Sequence, residues 1–131
     1  MRILALLFVS IIFFSCSKST GIKELVVGSD SVAINFFKGD GSMDTVYKVV
    51  ILRDKKQVDN LAAFIESSTT KDFKCGYDGS LHFFKNNVVL KDIDFRMNAD
   101  SCMYFSFMLK GYQYTTTLSE DAKRFLLSVR K

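Results

Sequence analysis

The stretch Asp78-Gly79-Ser80-Leu81-His82 sets a carboxylate, a hydroxyl and the chain's one imidazole at alternate positions. An extended backbone would aim all three at one side. These are the group types of acyl transfer, where histidine passes a proton between a carboxylate and a nucleophilic hydroxyl. That relay needs the imidazole between the other two, a nucleophile on a strained turn, and free N–H donors for an oxyanion. Three successive outward positions of one strand do not meet this requirement. The stretch is therefore expected to be an Asp-Gly turn entering a strand that carries an ordinary histidine.

A second acidic stretch, Asp92-Ile93-Asp94-Phe95-Arg96-Met97-Asn98-Ala99-Asp100, alternates polar side chains in the manner of a calcium loop. Arg96 stands where a neutral or acidic ligand belongs, Met97 replaces the glycine, and Met103 takes the place of the bidentate glutamate. A solvated strand face running into a turn is expected instead. Zinc is no better served, because Cys75, Cys102 and His82 lack paired spacing and a fourth ligand. The sequence contains no Walker loop and no G-x-G-x-x-G motif. With one histidine, no tryptophan and no clustered nucleophile, the chain reads as a non-enzyme with no cofactor and no metal.

The strongest chemical signal lies near the start. Met1-Arg2 is followed by Ile3 to Phe14 without a charge, then by Ser15-Cys16 and the polar run Ser17-Lys18-Ser19-Thr20. The apolar run is too short for the roughly 20 residues that cross a bilayer. Its order, one cation and then an apolar stretch, is that of a secretory leader. These residues resemble the signal of a Gram-negative bacterial lipoprotein with a relaxed lipobox, Phe13-Phe14 replacing the usual aliphatic and small pair. The resemblance covers residues 1–20 and implies that Cys16 is lipidated on sulfur, with palmitate-type acylation on the new N-terminus. It further implies a signal peptide over 1–15, a lipidated cysteine and short tether over 16–21, and a single domain over 22–131. Ser17 after the cysteine favours the outer membrane by the same likeness. Two or more acyl chains, at about 0.8 kcal/mol per buried methylene, would make the anchoring effectively permanent. An ordinary secretion signal and a retained N-terminal helix are the alternatives.

Removing residues 1–15 of 131 leaves 116, enough for one domain with a real core. Loss of Arg2 takes the basic count from 18 to 17 against 14 acidic residues, a net of +3. This scattered balance has no basic stripe with interleaved aromatics, so no nucleic-acid partner is expected. With Cys16 acylated, Cys75 and Cys102 remain as an even pair in an oxidising compartment and are expected to form a disulfide. On the chain-entropy model the bond stabilises by about 3.5 kcal/mol. Two separate buried thiols are the alternative.

The elements that would position these groups follow from periodicity. Val32, Ile34 and Phe36 alternate on one strand face. Thr45 to Leu52 is β-branched and aromatic and reads as a strand covered on both faces. The Asp40-Gly41 turn between them predicts a hairpin, and Ile22 to Val27 reads as a short strand. Asp54 with Gln57 begins a helix whose stripe is Val58, Leu61, Ala62 and Ile65. Four strands follow, over 80–85, 88–97, 101–109 and 112–116, with tight turns at Asn86-Asn87 and Lys110-Gly111. Within the second, Val89, Ile93, Phe95 and Met97 are the expected inward residues. A last helix is expected from Thr117, capped with Glu120 and apolar along Leu118, Ala122, Phe125, Leu126 and Val129. The fold class is α+β: an antiparallel sheet of about six or seven strands with two amphipathic helices on one face. "INFFK" ending at Lys38 and "LHFFK" ending at Lys85 leave both a degenerate duplicated meander–helix unit and chance similarity open.

Tyr104, Phe105, Phe107, Tyr112 and Tyr114 form the densest aromatic region and are expected mostly in the core. For a partner-binding face the candidate contacts are Tyr47, Tyr77, Tyr112 and Tyr114, since tyrosine suits surfaces with one apolar and one wet side. Asp30-Ser31-Val32 and Asp44-Thr45-Val46 match a loose O-glycosylation pattern. The functional expectation is a non-enzymatic envelope lipoprotein serving as an accessory, protein-binding subunit of a cell-envelope complex. An inhibitor or ligand-binding module of the periplasm and, less favoured, a small hydrolase stand as alternatives.

Overall fold

The computed structural model describes residues 20–39, 45–72 and 74–131. Cys16, the expected leader and the Asp40-Gly41 turn lie outside the described residues. The elements run α1 (Ile22–Val26), β1 (Ser31–Phe37), β2 (Val46–Leu52), α2 (Lys55–Phe64), β3 (Gly79–Lys85), β4 (Val88–Arg96), β5 (Tyr104–Leu109), β6 (Tyr112–Thr117) and α3 (Glu120–Arg130). The strands form one antiparallel sheet in the order β2-β1-β3-β4-β5-β6. This is the expected α+β class.

Both two-residue turns adopt the left-handed backbone that matches sheet twist. Asn86 and Asn87 have φ of 51° and 61°, and Lys110 and Gly111 have φ of 50° and 81°. From these turns the alternation runs out along the strands. Val32, Ile34, Phe36, Leu81, Phe83, Ile93, Phe95, Phe105 and Phe107 all turn to one side and are buried. The helices cover that side with Ile22, Val26, Val58, Leu61, Ala62, Ala122 and Leu126, completing a single core. At its centre the Phe36 and Phe95 rings meet edge to face, 5.9 Å apart and inclined at 78°.

Several expectations are corrected. The segment from Ile22 is a helix, not a strand, so three helices serve the core rather than two. Ile22 and Val26 are four apart, a spacing that suits either period, and burying both while Glu24 and Leu25 between them stay exposed is done by a helical turn. β2 is not covered on both faces; it is an edge strand whose Tyr47, Val49 and Ile51 are exposed. Val89 does not turn inward and is 48% exposed, because the ladder between β3 and β4 slips by one residue between Phe83 and Phe84. β5 begins at Tyr104 rather than Ser101, since Ala99 to Cys102 closes a turn through Cys102 N–H and Ala99 O at 2.7 Å. The last helix is capped by Ser119, whose Oγ accepts from Ala122 N–H at 3.2 Å. Thr117 instead finishes β6 opposite Tyr104. The Asp54 cap is as expected, accepting from Gln57 N–H at 3.0 Å.

Cys75 and Cys102 are joined by a disulfide with their Cα atoms 6.4 Å apart. Beside it Asp78 is buried, and its carboxylate accepts from Arg96 Nη1 at 2.9 Å, Met97 N–H at 2.7 Å and Asn98 N–H at 2.9 Å. Among the described residues, no helix is long and apolar enough to cross a membrane.

Gly79 sits where β1, β3 and β4 meet. A Cβ there would collide with the Asn35 carbonyl oxygen and the Phe95 ring. Gly79→Ala is therefore expected to lose about 2 kcal/mol of stability through forced repacking. Urea unfolding that moved by only a few tenths of a kcal/mol would contradict this packing.

Candidate functional site

Because side chains alternate, the register that buries one face also composes the other. Across the helix-free face, Asn35, Ser80, Asp94, Ser106 and Thr115 stand in one line, one residue per strand from β1 to β6. His82 and Asp92 form the next line. All these side chains are polar on a surface that no described helix roofs, and hydrogen bonds tie Asn35, Ser80, His82 and Asp92 to one another.

His82 is the centre of the best-defined cluster. Its Nδ1 lies 2.6 Å from Asp92 Oδ1, and its Nε2 lies 3.0 Å from Ser80 Oγ and 3.1 Å from Asn35 Nδ2. An amide nitrogen can only donate, so Nε2 is the acceptor and the Nδ1 proton goes to Asp92. The order Asp92–His82–Ser80 is that of a catalytic relay, formed with a carboxylate from outside the Asp78–His82 stretch. Asp78 is not its acid; Asp92 arrives from the neighbouring strand. Counting back from the Asn86-Asn87 turn, Lys85 opposite Val88 would put Lys91 across from His82. The one-residue slip at Phe83/Phe84 brings Asp92 there instead. That slip is the signal sequence reasoning missed.

The relay lacks what acyl transfer also needs. Ser80 is 6% exposed as the second residue of β3, with β1 and β4 paired on either side. The peptide N–H groups around it are thus committed to ladders rather than pointed at a developing oxyanion. The Asn35 amide also occupies the lone pair that a general base would use.

A hollow adjoins this cluster. The β4–β5 ladder comprises only Asp94 opposite Ser106, Phe95 opposite Phe105 and Arg96 opposite Tyr104. Beyond Asp94 the two strands part, leaving a hollow of about 400 Å³ lined by Val89, Asp92, Asp94, Ser106, Met108 and Gln113 among others. The Lys91 ammonium spans the gap to the Met108 carbonyl. Gln113 also borders a second hollow of about 390 Å³, with Asp72, Tyr77, Tyr104 and Thr115. Its Nε2 donates to Ser106 Oγ at 2.8 Å and to Tyr77 OH at 3.4 Å. Thr115 Oγ1 donates to Asp72 Oδ1 at 3.2 Å. The result is a continuous polar tract over β3 to β6 with two recesses.

Burial raises the Asp94 pKa above the ordinary carboxylate value; His82 opposes the shift and the nearby Asp92 charge reinforces it. Burial likewise raises the Tyr104 hydroxyl, which donates to Gly76 O at 2.6 Å. Among the described residues, no three His, Cys, Asp or Glu side chains are grouped to hold a metal ion. Within the acidic stretch, Asp92 serves His82 and Asp100 faces Lys123 at 3.5 Å.

The four candidate tyrosines do not share one surface. Tyr77 borders the polar tract and meets the Tyr104 ring edge to face at 5.9 Å. Tyr114 packs against Phe107 with centroids 6.2 Å apart, on the core side. Tyr112 is exposed at the β5–β6 turn and Tyr47 is exposed on β2, at opposite margins of the sheet. Ser31 and Val32 lie in β1 and Thr45 directly precedes β2, while Asp44 lies outside the described residues.

The Asp94 shift has a definite sign for stability. A carboxyl with a raised folded-state pKa binds its proton more tightly folded than unfolded, so its contribution worsens as pH rises from the ordinary value of about 3.9 through the raised one. Asp94→Asn is expected to raise the melting temperature near pH 7, with the gain vanishing near pH 3. A loss at neutral pH would show that the charged form is favoured on this face.

Compared with known proteins, no family model, no curated protein and no solved structure matches the chain.

Proposed function

We propose that the chain is an envelope lipoprotein, anchored in the outer membrane through acylated Cys16, whose α+β domain is a non-enzymatic accessory subunit binding another envelope protein. The single observation that supports the binding role is the unroofed sheet face, where Asn35, Ser80, His82, Asp92, Ser106 and Gln113 are fixed by hydrogen bonds beside two recesses. Groups held in place before contact lose little side-chain freedom on binding, which favours docking onto such a face.

The test uses the full chain in intact cells. A photo-crosslinking residue at Asp92, on the tract, is expected to capture one envelope protein in stoichiometric amount. The same residue at Lys56, exposed on α2, is expected to capture none, and Cys16→Ser is expected to abolish both membrane retention and capture. Recovery of the protein alone from the Asp92 position, or an unprocessed and fully functional Cys16→Ser protein, would overturn the proposal.

A second reading, a small hydrolase, is favoured by the Asp92–His82–Ser80 relay. The committed N–H groups around Ser80 weigh against it. A fluorophosphonate probe is expected to leave Ser80 unlabelled. Labelling that disappears in both Ser80→Ala and His82→Ala would establish the hydrolase instead.

A further inference from the structure

The two margins of the sheet are finished differently. At β6, Thr69 bridges to Thr116, and Thr70 N–H donates to Thr115 O at 2.8 Å. There a segment of the same chain covers the edge at Thr115 and Thr116. At β2 the ladder to β1 is the strand's one pairing among the described residues, which leaves its outer backbone N–H and C=O groups unpaired by them. Val46, Tyr47, Val49 and Ile51 are each 42–56% exposed along this strand. An edge strand is ordinarily guarded by proline, by a charge or by a covering element. β2 contains no proline, and its one irregularity against β1 lies at its start beside Tyr47. Its one charged side chain, Lys48, sends its ammonium to the Arg130 carbonyl of α3 rather than along the edge.

We propose that β2 pairs with β2 of a second copy, antiparallel and centred on Val49, joining two six-stranded sheets into one. An open strand edge is satisfied by another extended backbone, which fixes the chemistry of the occupant. The side-chain pattern makes that occupant the same strand. A two-fold axis normal to the sheet keeps the two polar faces on one side and lets only residues of like facing meet. Centred on Val49, the stretch beyond the irregularity at the start of β2 pairs with itself: Tyr47 meets Ile51, Lys48 meets Val50 and Val49 meets its own copy. Apolar side chains then pair along the exposed stripe, and the lysine faces a valine. Centring on Lys48 would set two ammoniums opposite each other, which is destabilising. Centring on Val50 would leave Tyr47 without a partner. The inference uses neither Cys16 nor the polar tract, and stands apart from the functional proposal.

The experiment is sedimentation of the purified full chain in detergent, with paired variants. The wild type is expected to show a concentration-dependent monomer–dimer equilibrium. Val49→Cys is expected to form a covalent dimer on mild oxidation, while Val88→Cys, an exposed valine at the β3–β4 turn, does not. Val49→Lys is expected to weaken the dimer several-fold, Val49→Asp to do the same, and an equimolar mixture of the two to restore it. Circular dichroism confirms that each variant is folded. A monomer at every concentration, a dimer indifferent to Val49→Lys, or no covalent dimer from Val49→Cys would overturn the proposal. So would Val49→Cys crosslinking in cells to a different protein, which would assign the edge to a foreign strand.

Discussion

The position of β3 between β1 and β4 decides what every side chain on this sheet does, and the missing side chain at Gly79 lets that position form. Phe95 occupies the space a Cβ would take, close against the Asn35 carbonyl oxygen, and from there its ring reaches the edge of Phe36. One residue further along β3, the facing reverses, and Ser80 joins the opposite side with Asn35 and Asp94. A shift of one position would exchange the faces, burying the imidazole and exposing phenylalanines. Core and polar tract are thus two readings of one register.

The segment between α2 and β3 shows a different strategy. Residues 65–72 and 74–78 form almost no regular structure, yet they are fastened repeatedly. Ser67 O accepts from both Thr20 N–H and Thr20 Oγ1, each at 3.0 Å. The Thr69 bridge, the disulfide, the Tyr104–Gly76 hydrogen bond and the Asp78 carboxylate follow in turn. Asp78 is well suited to its place because two backbone N–H groups and a guanidinium share its charge, which offsets the cost of burying it. Its neighbour Asp94 has no such company among the described residues. One carboxylate therefore builds the structure, and the other is left where an incoming group could meet it.

How much of this could be read in advance depended on the range of the interaction. Turns and caps are local, and Asn86-Asn87, Lys110-Gly111 and Asp54 behave as their residue types dictate. The alternation of Val32, Ile34 and Phe36 was equally plain. What escaped was set by partners distant in sequence. The apolar composition of β2 gave no sign that one flank has no neighbour, because β-branched residues serve central and edge strands alike. Ile22 and Val26 fit both periods, and only packing against β4 and α2 separates them. Asp92 reaches His82 through an irregularity in a ladder, and no residue type announces such a slip. The tyrosines scattered because aromatic density marks buried and exposed sites without distinguishing them.

Lys48 carries a consequence for how the domain is assembled. Its ammonium lies on the helix side of the sheet and is answered by a carbonyl of α3, 82 positions downstream. The first hairpin is close to complete as a local structure, but its one charged side chain on that side waits for a helix made much later. That contact therefore forms only once α3 is in place.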